Sequence, residues 1–236
     1  MYNEFWPSGP KFLADRAFNI GTDAVMLYAF CRKMRAKRVC DLGCGSGVIG
    51  QLLAFSNENI CVTGVEIQRA SADAAIENAQ LNGLDTRFDV VCGDLREYKK
   101  LPLEPGSFDL VVMNPPYFPQ NSGKSVSDDA TAIARDERFC TLDDACTAAA
   151  YLTKWGGRFC MVHRPERLAE VMTTMSNKGL EPKTLRFVQH RQNSAPNLIL
   201  VESLRGGKPG LNILPPLVLT NPDGTDTDEV REIYHR

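Results

Sequence analysis

The feature that most restricts how this chain can fold is a β-rich run, residues 38–42, that carries Asp41-Leu42-Gly43-Cys44-Gly45-Ser46-Gly47 and passes at once into an apolar helical run, residues 48–55. Glycines at 43, 45 and 47 let the backbone turn tightly and leave main-chain atoms open to a ligand that a Cβ would shield. In a doubly wound sheet such a turn lies at the carboxyl ends of the strands, where ligands bind. The same change of period repeats along the chain. β-rich runs at 60–66, 87–91, 108–114 and 158–163 are separated by helical runs at 69–81 and 142–154, the latter opened by Thr141 and Asp144 in an approximate capping box. A further helix begins at Pro165 and stops at Gly179. This alternation predicts a parallel sheet with helices on both faces.

Two more β-rich runs, 184–190 and 197–204, follow one another with only a loop between, so they are expected to form an antiparallel hairpin at one sheet edge, for seven strands in all. Ala24, Leu27, Tyr28 and Cys31 sit at helical spacing ahead of the sheet. The polar segment 120–136 reads as a long mobile loop and a candidate substrate lid. Beyond Gly206 an irregular tail is expected, packed through Ile213, Leu214 and Leu217 and then fraying. A chain of 236 residues, 43% hydrophobic, suits one domain: a helical cap over the ligand at 1–36, a catalytic core at 37–205 and the tail at 206–236.

Charge and cysteine usage narrow the function classes. A net charge of −2 gives no global attraction to nucleic acid, yet residues 154–208 hold ten Lys and Arg against four Glu. The basic excess is therefore segregated. No apolar run approaches the roughly 20 residues that cross a bilayer, and the basic-then-apolar layout of a signal peptide is missing, so a cytoplasmic protein is expected. The eight cysteines are scattered without a C-x-x-C pair and read as reduced apolar fillers, with no metal site.

The glycine turn alone leaves its ligand open. Gly45, Gly47 and Gly50 also satisfy G-x-G-x-x-G, and Glu66 follows near the offset of a ribose-binding acid in dinucleotide folds. Asp41 shifts the balance toward S-adenosylmethionine, because a carboxylate there attracts an amino-acid ammonium and repels a pyrophosphate. Asp94, after Gly93, suits the amino group of that cofactor's adenine, and Glu66 its ribose hydroxyls. The competing reading is that Asp41 and Asp94 simply cap helices or turns.

At the end of the fourth strand stands Asn114-Pro115-Pro116-Tyr117, followed by Phe118. An adenine amino nitrogen is a poor nucleophile because its lone pair is delocalised into the ring. The Asn114 side-chain oxygen and the Pro115 carbonyl can accept its two hydrogens and turn the lone pair toward an electrophilic methyl group. Pro115 and Pro116 stiffen the corner. Tyr117 offers a stacking face worth roughly 1–3 kcal/mol per base, which Phe118 extends. A rigid surface turn or short polyproline ligand is the plainer alternative.

With these motifs placed, the chain resembles the bacterial tRNA (adenine-N6)-methyltransferases that act on the anticodon loop of a valine tRNA. The shared blocks are 21–25, 41–50, 64–68, 114–118, 163–167 and 207–216. The resemblance implies a Rossmann-like class I methyltransferase fold, with Thr22, Asp23, Asp41, Gly43, Gly45, Gly47, Glu66, Ile67, Asp94 and Asn114 around S-adenosylmethionine. Asn114 and Tyr117 would engage the base, and the partner would be RNA, a tRNA first of all, bound by a monomer. Similar tetrapeptides serve enzymes that methylate protein glutamine or ribosomal guanine, and a cofactor-binding RNA protein without turnover, or an oxidoreductase, stays open as well. His163, Arg164 and Arg167 are candidates to grip RNA phosphate, as are Lys124, Arg135 and Arg138, although Arg164 and Arg167 could equally pair with Glu166 or Glu170.

Overall fold

The computed structural model describes residues 2–13, 20–115 and 140–236. The chain opens on a small antiparallel hairpin, β1 (Tyr2–Glu4) and β2 (Lys11–Leu13), followed by α1 (Thr22–Cys31). The main sheet begins with β3 (Arg38–Leu42), which leads into α2 (Val48–Ser56). Then come β4 (Cys61–Glu66), α3 (Arg69–Leu81), β5 (Phe88–Cys92) and β6 (Phe108–Met113). After α4 (Leu142–Leu152) and β7 (Thr153–His163), a single 3-10 turn at Pro165–Arg167 precedes α5 (Leu168–Asn177). The hairpin β8 (Leu180–Gln189) and β9 (Pro196–Arg205) follows.

The spatial order is β8-β9-β7-β6-β3-β4-β5, with β9 antiparallel to both its neighbours and the remaining pairs parallel. These are the seven expected strands. Their order reverses between β3 and β6, which creates the switch point where the carboxyl ends open into a crevice. Both faces are covered, because adjacent strand residues point to opposite sides. Val39, Val112 and Val162 join α1, α2 and α3 in one cluster, whereas Cys40, Val111 and Met161 join α4 and α5 in the other. The α4 helix starts as its sequence suggests: Thr141 Oγ1 accepts the Asp144 N–H at 3.1 Å and Asp144 Oδ2 accepts the Thr141 N–H at 3.0 Å.

The largest departures from expectation fall in three stretches. The segment ahead of the sheet carries a hairpin as well as a helix. Strand β7 begins at Thr153 rather than 158, because Gly156 takes a positive φ of 74° and the register against β6 jumps from Phe108↔Thr153 to Leu110↔Arg158. The tail does not fray. It adds β10 (Asn212–Ile213) and β11 (Leu217–Val218), both parallel to β8, making nine strands in the large sheet, and closes with α6 (Asp228–Tyr234). Val230 and Ile233 are buried against the core, and the Arg186 guanidinium binds both oxygens of Glu229 at 2.6 and 2.7 Å. Two-residue strands are too short to show alternation, so their existence depends on the β8 edge that they cover.

Candidate active site

Register places the site. Leu42 pairs with Met113 across β3 and β6, and with Val65 across β3 and β4, so Gly43, Asn114 and Glu66 leave three adjacent strands side by side. Glu66 in turn pairs with Cys92, which brings Asp94 to the same edge. His163 and Arg164 close the arc at the end of β7.

The glycine turn is held by a nearly complete set of hydrogen bonds. The Cys44 N–H donates to Val65 O at 3.1 Å, and the Gly47 N–H donates to Cys44 O at 2.8 Å. The Gly45 N–H donates to Glu66 Oε2 at 2.9 Å, and the Ser46 carbonyl accepts from Asn78 Nδ2 at 3.1 Å. The glycines then divide by role. A Cβ on Gly50 would meet Val62 at 2.7 Å and Phe88 at 2.9 Å, and one on Gly47 would meet Phe88 at 2.9 Å as well as Gln51 at 2.6 Å, so both allow α2 to lie close on the sheet. Gly43 is exposed, has φ +64°, and a Cβ there would meet only Met113 at 3.9 Å. Its surface is open to a ligand.

The acids behave differently from one another. Asp41 is 1% exposed; its Oδ2 accepts the Gly50 N–H at 2.9 Å, while Oδ1 has no partner among the described residues. Burial pushes its carboxyl up to about 7, the Gly50 hydrogen bond opposes this, and the nearby Glu66 charge adds to it. An orphaned carboxylate oxygen of this kind suits a cationic partner. Glu66, 6% exposed, accepts from Gly45 and, at 2.8 Å, from the Gln68 N–H, which leaves each oxygen a second lone pair for a hydroxyl. Ile67 beside it is 42% exposed, a flat apolar surface at the crevice. Asp94 caps a 3-10 turn and binds Arg96 through both oxygens, so an adenine amino group must displace that guanidinium or share the carboxylate with it. Buried Cys44 lies against Gly64, its thiol pushed up by burial and by Asp41 and Glu66, in keeping with a filler role. These residues fit S-adenosylmethionine: a cation-seeking carboxylate, a hydroxyl-binding carboxylate and an apolar ledge around an open glycine turn.

Burial and partners separate the remaining candidate residues. Thr22 opens α1 from an exposed position, and Asp23 beside it is half-buried. His163, a candidate for phosphate, is 1% exposed, and burial followed by the Arg167 charge holds its imidazole down at about 4, so it is a neutral, internal ring. Arg167 grips Glu170 through two bonds at 2.6 and 2.8 Å. Arg164, half-buried, donates to Asn197 O at 3.2 Å. The segregated basic charge is also partly compensated in space: Lys154 pairs with Asp109, Lys178 with Asp143 and Arg186 with Glu229, all acids outside residues 154–208. Pro116, Tyr117, Phe118, the 120–136 segment, Lys124, Arg135 and Arg138 lie outside the described residues. Asn114 is half-buried and Pro115 buried at the mouth of the crevice.

A model of the methyltransferase domain matches residues 33–206, which takes in every strand from β3 to β9. The chain belongs to the methyltransferase-domain family. Among relatives of this methyltransferase, the tRNA1(Val) (adenine(37)-N6)-methyltransferase of Aeromonas salmonicida is 28% identical over 80% of the chain and 78% of the relative. The protein of the same name from Yersinia pseudotuberculosis is 34% identical over 62% of the chain and 57% of its own length. The chain thus aligns with little more than half of the Yersinia relative. Solved structures share the fold: a predicted O-methyltransferase of Agrobacterium tumefaciens superposes with a TM-score of 0.74 at 21% identity, covering 91% of this chain and 96% of that one. A ribosomal protein L11 methylase of Lactobacillus delbrueckii gives 0.54 at 18% identity, over 78% of each chain. Among the described residues no cluster of His, Cys, Asp or Glu is arranged to hold a metal ion, and no helix is long and apolar enough to cross a membrane.

Proposed function

We propose that this methyltransferase transfers the methyl group of S-adenosylmethionine to the exocyclic N6 amine of an adenine in a tRNA, leaving N6-methyladenine, S-adenosylhomocysteine and a proton. The observation that carries this reading is the Leu42↔Met113 pairing, which sets the Asn114-Pro115 corner beside Gly43 at the sheet's switch point. S-adenosylmethionine supplies an electrophilic methyl on a sulfonium, so the chain needs neither a metal nor a nucleophile of its own.

What the chain supplies is orientation. Asn114 and the Pro115 carbonyl accept the two amino hydrogens and draw the nitrogen toward a tetrahedral geometry, which aims its lone pair. Pro115, without an N–H and with a fixed φ, holds that carbonyl in advance of binding. By residue type, Pro116 stiffens the chain, and Tyr117 and Phe118 carry aromatic faces on which a base can stack. The Aeromonas and Yersinia relatives, named for adenine-N6 methylation at position 37 of a tRNA, support this substrate over protein glutamine or ribosomal guanine. Incubation with labelled S-adenosylmethionine and separately purified tRNA, ribosomal RNA and release factor tests the assignment. Label in tRNA, recovered as N6-methyladenosine, is the expected result; label confined to protein or to guanine overturns it.

A further inference from the structure

Beneath the glycine turn lies a buried amide network that no motif of the family reading includes. Asn78 lies in α3 and Asn82, four residues on, caps the end of that helix. Asn78 is 1% exposed: its Nδ2 donates to the Ser46 carbonyl at 3.1 Å, and its Oδ1 accepts the Leu13 N–H of β2 at 2.8 Å. Asn82 Oδ1 accepts the Lys11 N–H at 2.7 Å, and its Nδ2 donates to Lys11 O at 2.8 Å and to Gln51 Oε1 at 3.2 Å. Gln51, fully buried in α2, donates to Ala75 O at 2.9 Å. The two asparagines therefore treat β2 as a sheet neighbour would, and Asn78 alone of the pair reaches across to the turn. Because Oδ1 faces an N–H and Nδ2 faces a carbonyl, the orientation of this amide is dictated by its partners.

We propose that Asn78 is a positioning residue for the cofactor, acting through the Ser46 peptide; the inference rests on the methyltransferase reading of the glycine turn. Ser46 lies between Gly45 at φ +54° and Gly47 at φ +83°, so the residues flanking it offer little steric resistance to rotation of the peptide plane. The Ser46 carbonyl and the Gly47 N–H belong to one plane and point opposite ways. Asn78 holds the first, and Cys44 O holds the second at 2.8 Å. Without the Asn78 donor the plane keeps one anchor, and Gly45, whose N–H is bound by Glu66, moves with it. The turn then reaches its ligand-binding shape in only a fraction of molecules, and apparent affinity falls by that fraction. The same side chain ties the turn to the N-terminal hairpin, which Asn82 also holds through Lys11.

Asn78→Asp separates the two arms, because a carboxylate still accepts the Leu13 N–H but opposes the Ser46 carbonyl. Titration calorimetry with S-adenosylhomocysteine on the full chain should show about a tenfold weaker Kd for Asn78→Asp, equivalent to about 1.4 kcal/mol. The KM for S-adenosylmethionine should rise in step while kcat at saturation stays within about twofold, and hydrogen exchange should show the Leu13 amide still protected. Asn78→Ser, which keeps α3 intact with a smaller side chain, should weaken binding similarly. Asn82→Ala, which cuts β2 from α3 without touching Ser46, should lower Tm and leave the Kd within about twofold. Wild-type binding with equal affinity in Asn78→Asp and Asn78→Ser overturns the role of Asn78 alone. Loss of affinity in Asn82→Ala as large as in Asn78→Asp overturns it too, since general loosening would then explain both. No binding by the wild-type chain overturns the cofactor reading itself, and this inference with it.

Discussion

Glu66 accepts the Gly45 N–H at 2.9 Å on one carboxylate oxygen while its other oxygen takes the Gln68 N–H at 2.8 Å, so a single side chain fastens the glycine turn to the end of the neighbouring strand. The acid that would bind ribose hydroxyls is thereby also the clamp that shapes the turn. Glu66→Gln replaces one acceptor by an amino group that faces a backbone N–H. Affinity for S-adenosylhomocysteine is expected to fall by at least about tenfold, with a drop in Tm of a few degrees, read by calorimetry and thermal unfolding. An unchanged Kd would remove Glu66 from the cofactor site.

Asn114 stands at the register position next to Gly43, and its proposed task arises only when the amine is present. Asn114→Ala should lower kcat by roughly 10²–10³, the size of losing one oriented polar contact to a reacting group, and leave S-adenosylhomocysteine binding within about threefold. Equal losses in kcat and in cofactor affinity would instead mark Asn114 as a cofactor ligand.

Two buried groups give stability opposite dependences on pH. The His163 imidazole, held down at about 4 against an ordinary value of about 6.5, contributes stability that is present above pH 6.5 and is lost as pH falls through 4. The Asp41 carboxyl, raised to about 7 against about 3.9, contributes stability that is full below pH 4 and is lost as pH rises through 7. Between about pH 4 and 6.5 the slopes oppose, each up to about 1.4 kcal/mol per pH unit. Asp41→Asn should therefore make the unfolding free energy rise more steeply with pH in that window, and His163→Gln should make it fall. Urea titrations at intervals of half a pH unit distinguish the two, and parallel curves for both variants and wild type would contradict the assignment.

Arg164 and Arg167 make a matched pair for testing phosphate contact. Arg164→Ala should weaken tRNA binding and reduce the slope of log K against log salt by about one unit. Arg167→Ala should leave that slope as it is, because its guanidinium already binds both oxygens of Glu170. A loss of slope in the second variant and not the first would reverse the roles.

Legibility in the sequence followed the range of the interaction. Strands β3 to β9, helices α2 and α3 and the Thr141 cap could be read directly, because periodicity and capping involve residues within a few positions of one another. The Asp41-to-Gly47 and Asn114-Pro115 motifs were equally plain, since strand ends and turns demand particular residue types. The fate of the charges was not. Arg167 could be paired with Glu170 or left for phosphate on local grounds alike, and Lys154, Lys178 and Arg186 find their acids 45, 35 and 43 residues away.

By itself, then, the order of residues determined the alternation of strands and helices, the family and the glycine turn proposed for the cofactor, all of which depend on local pattern. Only the tertiary structure decided that Gly43 stays open, that His163 is internal, that the tail closes the β8 edge, and that Asn78 joins the N-terminal hairpin to the Ser46 carbonyl. Those outcomes depend on which distant surfaces meet, and burial and partnering change a side chain's chemistry only after they do.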